Sequence, residues 1–158
     1  MSALPPVFQK WFKSRGWQPR AHQLALLEKA RAQQDALLIA PTGAGKTLAG
    51  FLPSLTELTQ SKPNRRSLHT LYISPLKALA VDVARNLEQP VHEMGLSLRI
   101  ETRTGDTSAS KRQRQRRDPP DILLTTPEQL SLLLGSAEGV AMFSSLKRII
   151  FDELHAVV

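Results

Sequence analysis

Eight residues, Ala40-Pro41-Thr42-Gly43-Ala44-Gly45-Lys46-Thr47, constrain this chain more than any other feature. They follow an apolar run, Ala36-Leu37-Leu38-Ile39, and lead into Leu48–Leu58, where apolar residues recur at helical spacing. A strand, a glycine-bearing loop ending in Gly-Lys-Thr and a helix together make the phosphate-binding loop of a nucleotide triphosphatase. Backbone N–H groups of such a loop converge on phosphate oxygens, and the helix that follows adds the positive end of its dipole. Lys46 then reaches the terminal phosphates as a point charge, and the Thr47 hydroxyl ligates Mg²⁺. The pattern departs from its usual form at Ala40, where Gly is common. A chance match in a chain of this length is on the order of 1%. The alternative is an ordinary glycine-rich turn between a strand and a helix.

The rest of the chain alternates in the same way. Apolar runs at Ala36–Ala40, Leu68–Ser74, Leu98–Thr102, Ile122–Thr126 and Arg148–Asp152 are separated by helical stretches. These are Thr47–Thr59, Leu76–Glu93, Ala109–Arg116 and Pro127–Leu134, with a short one at Ala137–Ser144. The alternation predicts an α/β fold: a mainly parallel sheet with helices on both faces. Runs that are apolar nearly throughout suit strands covered on both sides. Ahead of them, Phe8, Trp11 and Phe12 stand at helical spacing, and Pro19 opens a second helix with Leu24, Leu27 and Ala30 as apolar positions. Trp11, Phe12 and Trp17 read as pins that hold the first helix to a core, with stacking on a base as the alternative.

Composition narrows the partners. The chain has 158 residues, no cysteine and a net charge of +7. Disulfides and Cys-ligated zinc are excluded, and a polyanion such as nucleic acid is the favoured partner. No run is long enough to span a membrane, and the first residues lack the features of a signal peptide, so a soluble cytoplasmic protein is the simplest reading. The run Lys111-Arg112-Gln113-Arg114-Gln115-Arg116-Arg117 reads as a solvated helix face. Its charges spread around the axis, and its contribution to nucleic-acid binding is at most a nonspecific attraction that falls with salt.

Ligands of open α/β sheets bind at the C-terminal ends of the strands, and the informative residues lie there. The last run delivers Asp152-Glu153-Leu154-His155. In a phosphate-loop enzyme an Asp after an apolar strand completes the Mg²⁺ site, and a neighbouring Glu orients or deprotonates the attacking water. The structural alternative is a helix start with acidic residues in its first turn.

Taken in order, these segments resemble the motifs of superfamily 2 DEXH-box helicases. Ala40–Thr47 and Asp152–His155 resemble motifs I and II. Gln23, in Trp17-Gln18-Pro19-Arg20-Ala21-His22-Gln23, resembles the adenine-recognising glutamine. Ser74-Pro75-Leu76-Lys77-Ala78-Leu79 resembles motif Ia, and Arg103-Thr104-Gly105-Asp106-Thr107 the Thr-Gly segment associated with motif Ib. Leu124-Thr125-Thr126-Pro127-Glu128 resembles the Thr-Pro-Glu motif. The likeness is closer still to the large helicase-related (Lhr-like) group, and Trp11-Phe12 with Arg15-Gly16-Trp17, the run Leu37–Pro53 and Thr104–Thr107 resemble its bacterial DNA-ligase-associated branch. The likeness covers essentially the whole chain.

The resemblance implies a RecA-like motor domain over residues 35–158, preceded by N-terminal helices over 1–34 that carry Gln23. It implies ATP and Mg²⁺ as cofactors. Thr42, Gly43, Ala44 and Gly45 would join Lys46 and Thr47 in holding phosphate, and Gln23 would read the adenine edge. Thr47 and Asp152 would hold the metal. Lys46 and Glu153 would be catalytic, with Glu153 as general base, and His155 would couple nucleotide to nucleic acid. Ser74, Pro75, Lys77, Thr104, Gly105, Thr126 and Pro127 would face a single strand of DNA, or of RNA. N-capping is the structural alternative for both hydroxyl-Pro pairs.

The implied activity is an ATP-dependent DNA helicase or translocase in DNA repair, located in the bacterial cytoplasm with the nucleoid. DNA ligase or nuclease partners are implied by the resemblance alone. Such proteins continue past motif II into a second RecA-like domain with arginine fingers, so this chain is expected to be a fragment, inactive by itself as a helicase. Two other classes fit less of the sequence. One is a nucleic-acid-binding module with a vestigial nucleotide site. The other is a phosphate-loop kinase or unrelated ATPase, which leaves Pro75, Thr104-Gly105 and Thr126-Pro127 unaccounted for.

Overall fold

A computed structural model describes residues 4–41, 43, 45–61 and 66–156. The chain divides into two compact units, Met1–Ser61 with Pro90–Leu96, and Lys62–Gln89 with Ser97–Val158.

The first unit is helical. Helix α1 (Pro6–Ser14) has a proline at its first position, where the missing N–H costs nothing. It buries Phe8, Trp11 and Phe12 on one face. Glu93 holds this helix in place: one carboxylate oxygen accepts from Trp11 Nε1 at 2.7 Å, and both oxygens pair with Arg15. Helix α2 (Ala21–Arg31) packs on α3 (Lys46–Gln60). The buried positions Ala49, Leu52 and Leu55 of α3 recur at helical spacing. Helix α2 starts two residues later than the sequence predicts. Pro19 lies outside it, and Arg20 is the N-cap in extended conformation.

The second unit is a four-stranded sheet, wholly parallel in its three pairings. Its strands are β1 (Thr70–Ile73), β2 (Ile100–Arg103), β3 (Ile122–Thr125) and β4 (Arg148–Phe151), in spatial order β2-β3-β1-β4. The connections carry α4 (Lys77–Glu93), α5 (Ala109–Arg117), and α6 (Pro127–Leu134) with α7 (Ala137–Met142). The inner strands β1 and β3 are buried at every position, as strands covered on both faces must be. Leu68, Leu71, Ile73, Leu123, Leu133 and Met142 form a buried cluster with β1 and β3 at its centre.

Two sequence expectations fail. Ala36–Ala40 forms no strand, and Leu37 and Ile39 are 71% and 87% exposed. An extended segment becomes a strand only when a neighbour accepts its ladder of hydrogen bonds, and apolar composition supplies no neighbour. β4 is also less covered than its composition predicts. Ile149 and Phe151, alternate residues on one face, are each about half exposed. β4 lies at the edge of the sheet, with β1 as its one strand neighbour among the described residues. Among those residues, no helix is long and apolar enough to cross a membrane.

Candidate nucleotide and nucleic-acid site

In the first unit the chain enters α3 through two glycines in the left-handed region, Gly43 at φ 78° and Gly45 at φ 74°. Side chains rarely adopt that conformation. Gly45 is the N-cap of α3, so Lys46 and Thr47 occupy its first two positions, at the positive end of the helix dipole. Thr42 and Ala44 lie outside the described residues.

Gln23 is 3% exposed, and both ends of its carboxamide are engaged. Its Oε1 accepts from Arg20 N–H at 2.9 Å, a reciprocal cap on α2, and its Nε2 donates to the Gly45 carbonyl at 3.4 Å. A Cβ added at Gly45 would stand 2.9 Å from that same Nε2. Gln23 thus buttresses the loop from behind. Trp11 and Phe12 are buried pins as expected, whereas Trp17 is 53% exposed, edge-on to Trp11 at 5.8 Å. With Phe12, Pro19 and Leu24, Trp17 lines a cleft of about 660 Å³.

In the second unit the strand register does the positioning. Arg103, Thr125, Ile73 and Phe151 are matched across the sheet as the last residues of their strands. The next residues, Thr104, Thr126, Ser74 and Asp152, therefore form a row along the C-terminal edge in the order β2-β3-β1-β4. With strands roughly 4.8 Å apart, the row is about 14 Å long. It has the carboxylate at one end and three hydroxyl residues along the rest.

Ser74 is fully buried, and its hydroxyl bonds to both backbone groups of Leu76 in a local turn. Pro75 is partly buried in that turn, and Lys77 is exposed at the start of α4. Thr126 precedes Pro127, the first residue of α6, but makes no side-chain cap bond. Capping therefore does not account for its hydroxyl. Thr104 is buried and Gly105 exposed in the turn after β2.

Asp152 is held by a residue the sequence reading missed. Tyr72 in β1, 1% exposed, donates its phenol to Asp152 Oδ2 at 2.6 Å, while Oδ1 accepts the Glu153 N–H at 2.9 Å. A lone phenol inside an aliphatic strand was the available signal, since a buried Tyr hydroxyl needs a partner. Its partner became evident only from the pairing of β1 with β4. Glu153 sits at φ 50°, uncommon for a residue other than Gly, and its Oε2 is 3.3 Å from His155 Nε2. The segment Leu154–Ala156 is a single 3₁₀ turn, not the α-helix start offered as the structural explanation of the acidic pair.

Burial first, then the hydrogen bond to Asp152, push the Tyr72 pKa well above its ordinary value, with Ser74 acting in the opposite sense. The fold thus retains a proton that the unfolded chain releases above about pH 10. The unfolded state binds fewer protons there, so the stability contributed by this bond is complete below that pH and is lost as pH rises beyond it. Tyr72 is the chain's only tyrosine. Tyrosinate absorbance is therefore expected to rise together with loss of far-ultraviolet dichroism. A phenol that ionises near pH 10 in the folded protein would contradict this assignment.

The basic run is only in part the solvated face the sequence predicts: Lys111, Gln113 and Arg117 are exposed, while the residues between them are engaged. Arg114 pairs with Glu101, and Arg116 lies 3.7 Å from Glu138. Buried Gln115 donates to the Thr102 carbonyl at 3.1 Å, and Arg112 binds backbone carbonyls of the turn after β2. β2 and its turn supply enough acceptors to draw much of the run inward.

The sequence model of the DEAD/DEAH box helicase family matches residues 20–158. The chain belongs to the DEAD/DEAH box helicases. Among characterised helicases it is 42% identical to the Lhr helicase/uracil glycosylase of Escherichia coli, covering 99% of this chain and 11% of that protein. It is 36% identical to the ATP-dependent helicase Lhr-Core of Methanocaldococcus jannaschii, over 94% of this chain and 19% of that one. The fold superposes on the Mycobacterium smegmatis helicase Lhr bound to single-stranded DNA and AMP-PNP with a TM-score of 0.84 at 38% identity. That match covers 98% of this chain and 21% of the other. The RecA-like α/β architecture expected of a DEAD/DEAH box helicase is thus present, and the chain spans between a tenth and about a fifth of these relatives.

Proposed function

We propose that the intact protein is an ATP-dependent DNA helicase or translocase that couples Mg²⁺-ATP hydrolysis to movement along single-stranded DNA. The observation that carries this reading is the row at the strand ends, where the acidic Asp152 shares one sheet edge with Ser74, Thr126 and Thr104. The complex of the M. smegmatis relative with single-stranded DNA and AMP-PNP supports the choice of ligands.

Residues 1–34 then serve the adenine side: Gln23 reads the base edge by exchanging its bonds to Arg20 and Gly45 for bonds to adenine, and Trp17 offers an exposed ring. Residues 35–158 form the first motor domain. Thr42, Gly43, Ala44 and Gly45 offer N–H groups to phosphate, and Lys46 its charge. Thr47 and Asp152 hold Mg²⁺. The donor set fits that ion: Asp152 supplies one carboxylate and Thr47 a hydroxyl, and Mg²⁺ favours one or two carboxylates, with phosphates and water completing its shell. When bound, the metal neutralises charge on the phosphates.

The residues around it have distinct tasks. Tyr72 fixes the orientation of Asp152. Glu153 accepts the proton of the attacking water, and His155, already beside Glu153, reports the state of that site to the nucleic acid. Ser74, Pro75, Lys77, Thr104, Gly105, Thr126 and Pro127 contact the DNA backbone, which gives little base specificity. A role in repair, a cytoplasmic location at the nucleoid and a ligase or nuclease partner belong to the same proposal.

The test is ATP turnover by the intact protein with oligothymidine or oligouridine added. Stimulation by oligothymidine is expected. Stimulation by oligouridine alone would assign the protein to RNA. No saturable nucleotide binding at millimolar ATP would reduce it to a nucleic-acid-binding module.

A further inference from the structure

The turn from Thr104 to Thr107 is built from its own hydroxyls and one guanidinium. Thr104 N–H donates to Thr107 Oγ1 at 3.0 Å, and Asp106 N–H to Thr104 Oγ1 at 3.2 Å. The Thr107 N–H donates back to the Thr104 carbonyl at 3.2 Å. Arg112, on α5, donates through Nη2 to the carbonyls of Thr104 and Gly105, at 2.8 and 3.1 Å. Lys77 approaches from another side, its Nζ 3.1 Å from Asp106 Oδ2, although both of these side chains are largely exposed.

Arg112 stands in an electrostatically adverse place. Arg103, 2% exposed, donates to the Arg112 carbonyl at 3.2 Å. Its pKa is lowered to about 10 by burial and then by the nearby charges of Arg116 and Arg112. The Nε atoms of all three arginines are buried with no hydrogen-bond partner among the described residues. Clustered like charges with unmet donors cost stability. The return at Arg112 is one guanidinium nitrogen, Nη2, that donates to two consecutive carbonyls.

Peptide geometry gives that return a direction. The Thr104 carbonyl and the Gly105 N–H belong to one trans, planar peptide unit, so they point opposite ways. With the carbonyl held by Arg112, the Gly105 N–H is aimed away from it. That N–H has no partner among the described residues, and a Cβ built on Gly105 meets nothing within 4 Å. An aimed N–H with open space beside its Cα is what a backbone phosphate requires. We infer that Arg112 is a positioning residue, which orients the Gly105 N–H toward a phosphate of the bound strand without touching that phosphate itself. The inference rests on the proposed DNA-binding role of this turn.

The experiment measures the affinity of the intact protein for labelled oligothymidine across a salt series, with thermal melting as a check on folding. Arg112→Ala is expected to weaken binding about tenfold at fixed salt and to leave the slope of log affinity against log salt unchanged, because no phosphate loses a cationic partner. Arg112→Lys should recover part of the loss, since an ammonium still donates to the carbonyls. Lys111→Ala, which removes an exposed charge from the same helix, should weaken binding less than Arg112→Ala. A slope reduced by about 0.7 in Arg112→Ala would mean that this side chain holds a phosphate directly, and would overturn the inference. So would unchanged affinity, or an equal loss in Lys111→Ala.

Gly105→Pro separates this inference from the reading beneath it, with Gly105→Ala as its control. Loss of binding in Gly105→Pro but not in Arg112→Ala would refute only the positioning role. Normal binding in Gly105→Pro, or no oligothymidine binding by the unmodified protein, would remove the turn from the nucleic-acid site and the inference with it.

Discussion

Glu153→Gln in the intact protein is expected to lower ATP hydrolysis by about 10²–10⁴-fold, the usual contribution of a positioned general base, while leaving ATP and DNA affinity within about threefold of the unmodified protein. The backbone of Glu153 is fixed independently of its side chain, through the bond from its N–H to Asp152 Oδ1. Gln keeps the length and shape of the side chain and can still bond to His155. What it cannot do is accept a proton from water. Steady-state turnover at saturating oligothymidine, with equilibrium nucleotide binding on the same preparation, checks both halves. A variant that hydrolyses ATP at the normal rate would remove Glu153 from the chemistry. One that loses nucleotide affinity as well would recast it as a binding group.

Lys46→Ala is expected to act on both quantities. Among the described residues no ion pair holds Lys46, so its removal strands no internal carboxylate and the fold should melt as before. The lost charge-assisted bonds to phosphate are worth about 1.5–3 kcal/mol, or on the order of 10–100-fold in nucleotide affinity. Hydrolysis should fall further, because charge builds on the transferred group in the transition state. Titration of a fluorescent ATP analogue measures the affinity and turnover measures the rest. Equal nucleotide affinity in the two proteins would show that the loop does not hold phosphate through this residue.

Much of the candidate site was legible because it is local in sequence. Gly45-Lys46-Thr47 lies between an apolar run and a stretch of helical periodicity, and here it opens α3, while Ser74, Thr104, Thr126 and Asp152 lie at or just after the ends of apolar runs. The failures share a different cause. The order β2-β3-β1-β4 is a tertiary fact, and the roles of Tyr72 and Arg112 depend on which strand or helix ends up beside them. Tyr72 looks like one more apolar residue until β4 brings Asp152 next to it. Arg112 looks like surface charge until the turn after β2 presents two carbonyls. The expected strand at Ala36–Ala40 failed for the converse reason, since its composition is right and no ladder forms along it. Gln23 was singled out by the family resemblance alone, since by composition it reads as a surface glutamine on a helix, and its burial and its bond to the loop were not legible.

The register of the sheet also bears on how the site comes into being. The ladder between β2 and β3 joins residues 22 apart in sequence, that between β3 and β1 residues 52 apart, and that between β1 and β4 residues 78 apart. Loop-closure entropy grows with such separations, so the last pairing is the costliest to nucleate, although each doubling adds only about 0.6 kcal/mol. Thr104 and Thr126 thus gain their alignment from short closures. Asp152 and Glu153 gain theirs from the longest, on the strand with the least cover. The half of the edge that would grip a strand of DNA can assemble before the half that would act on ATP, and the bond from Tyr72 to Asp152 marks the moment when the two are joined.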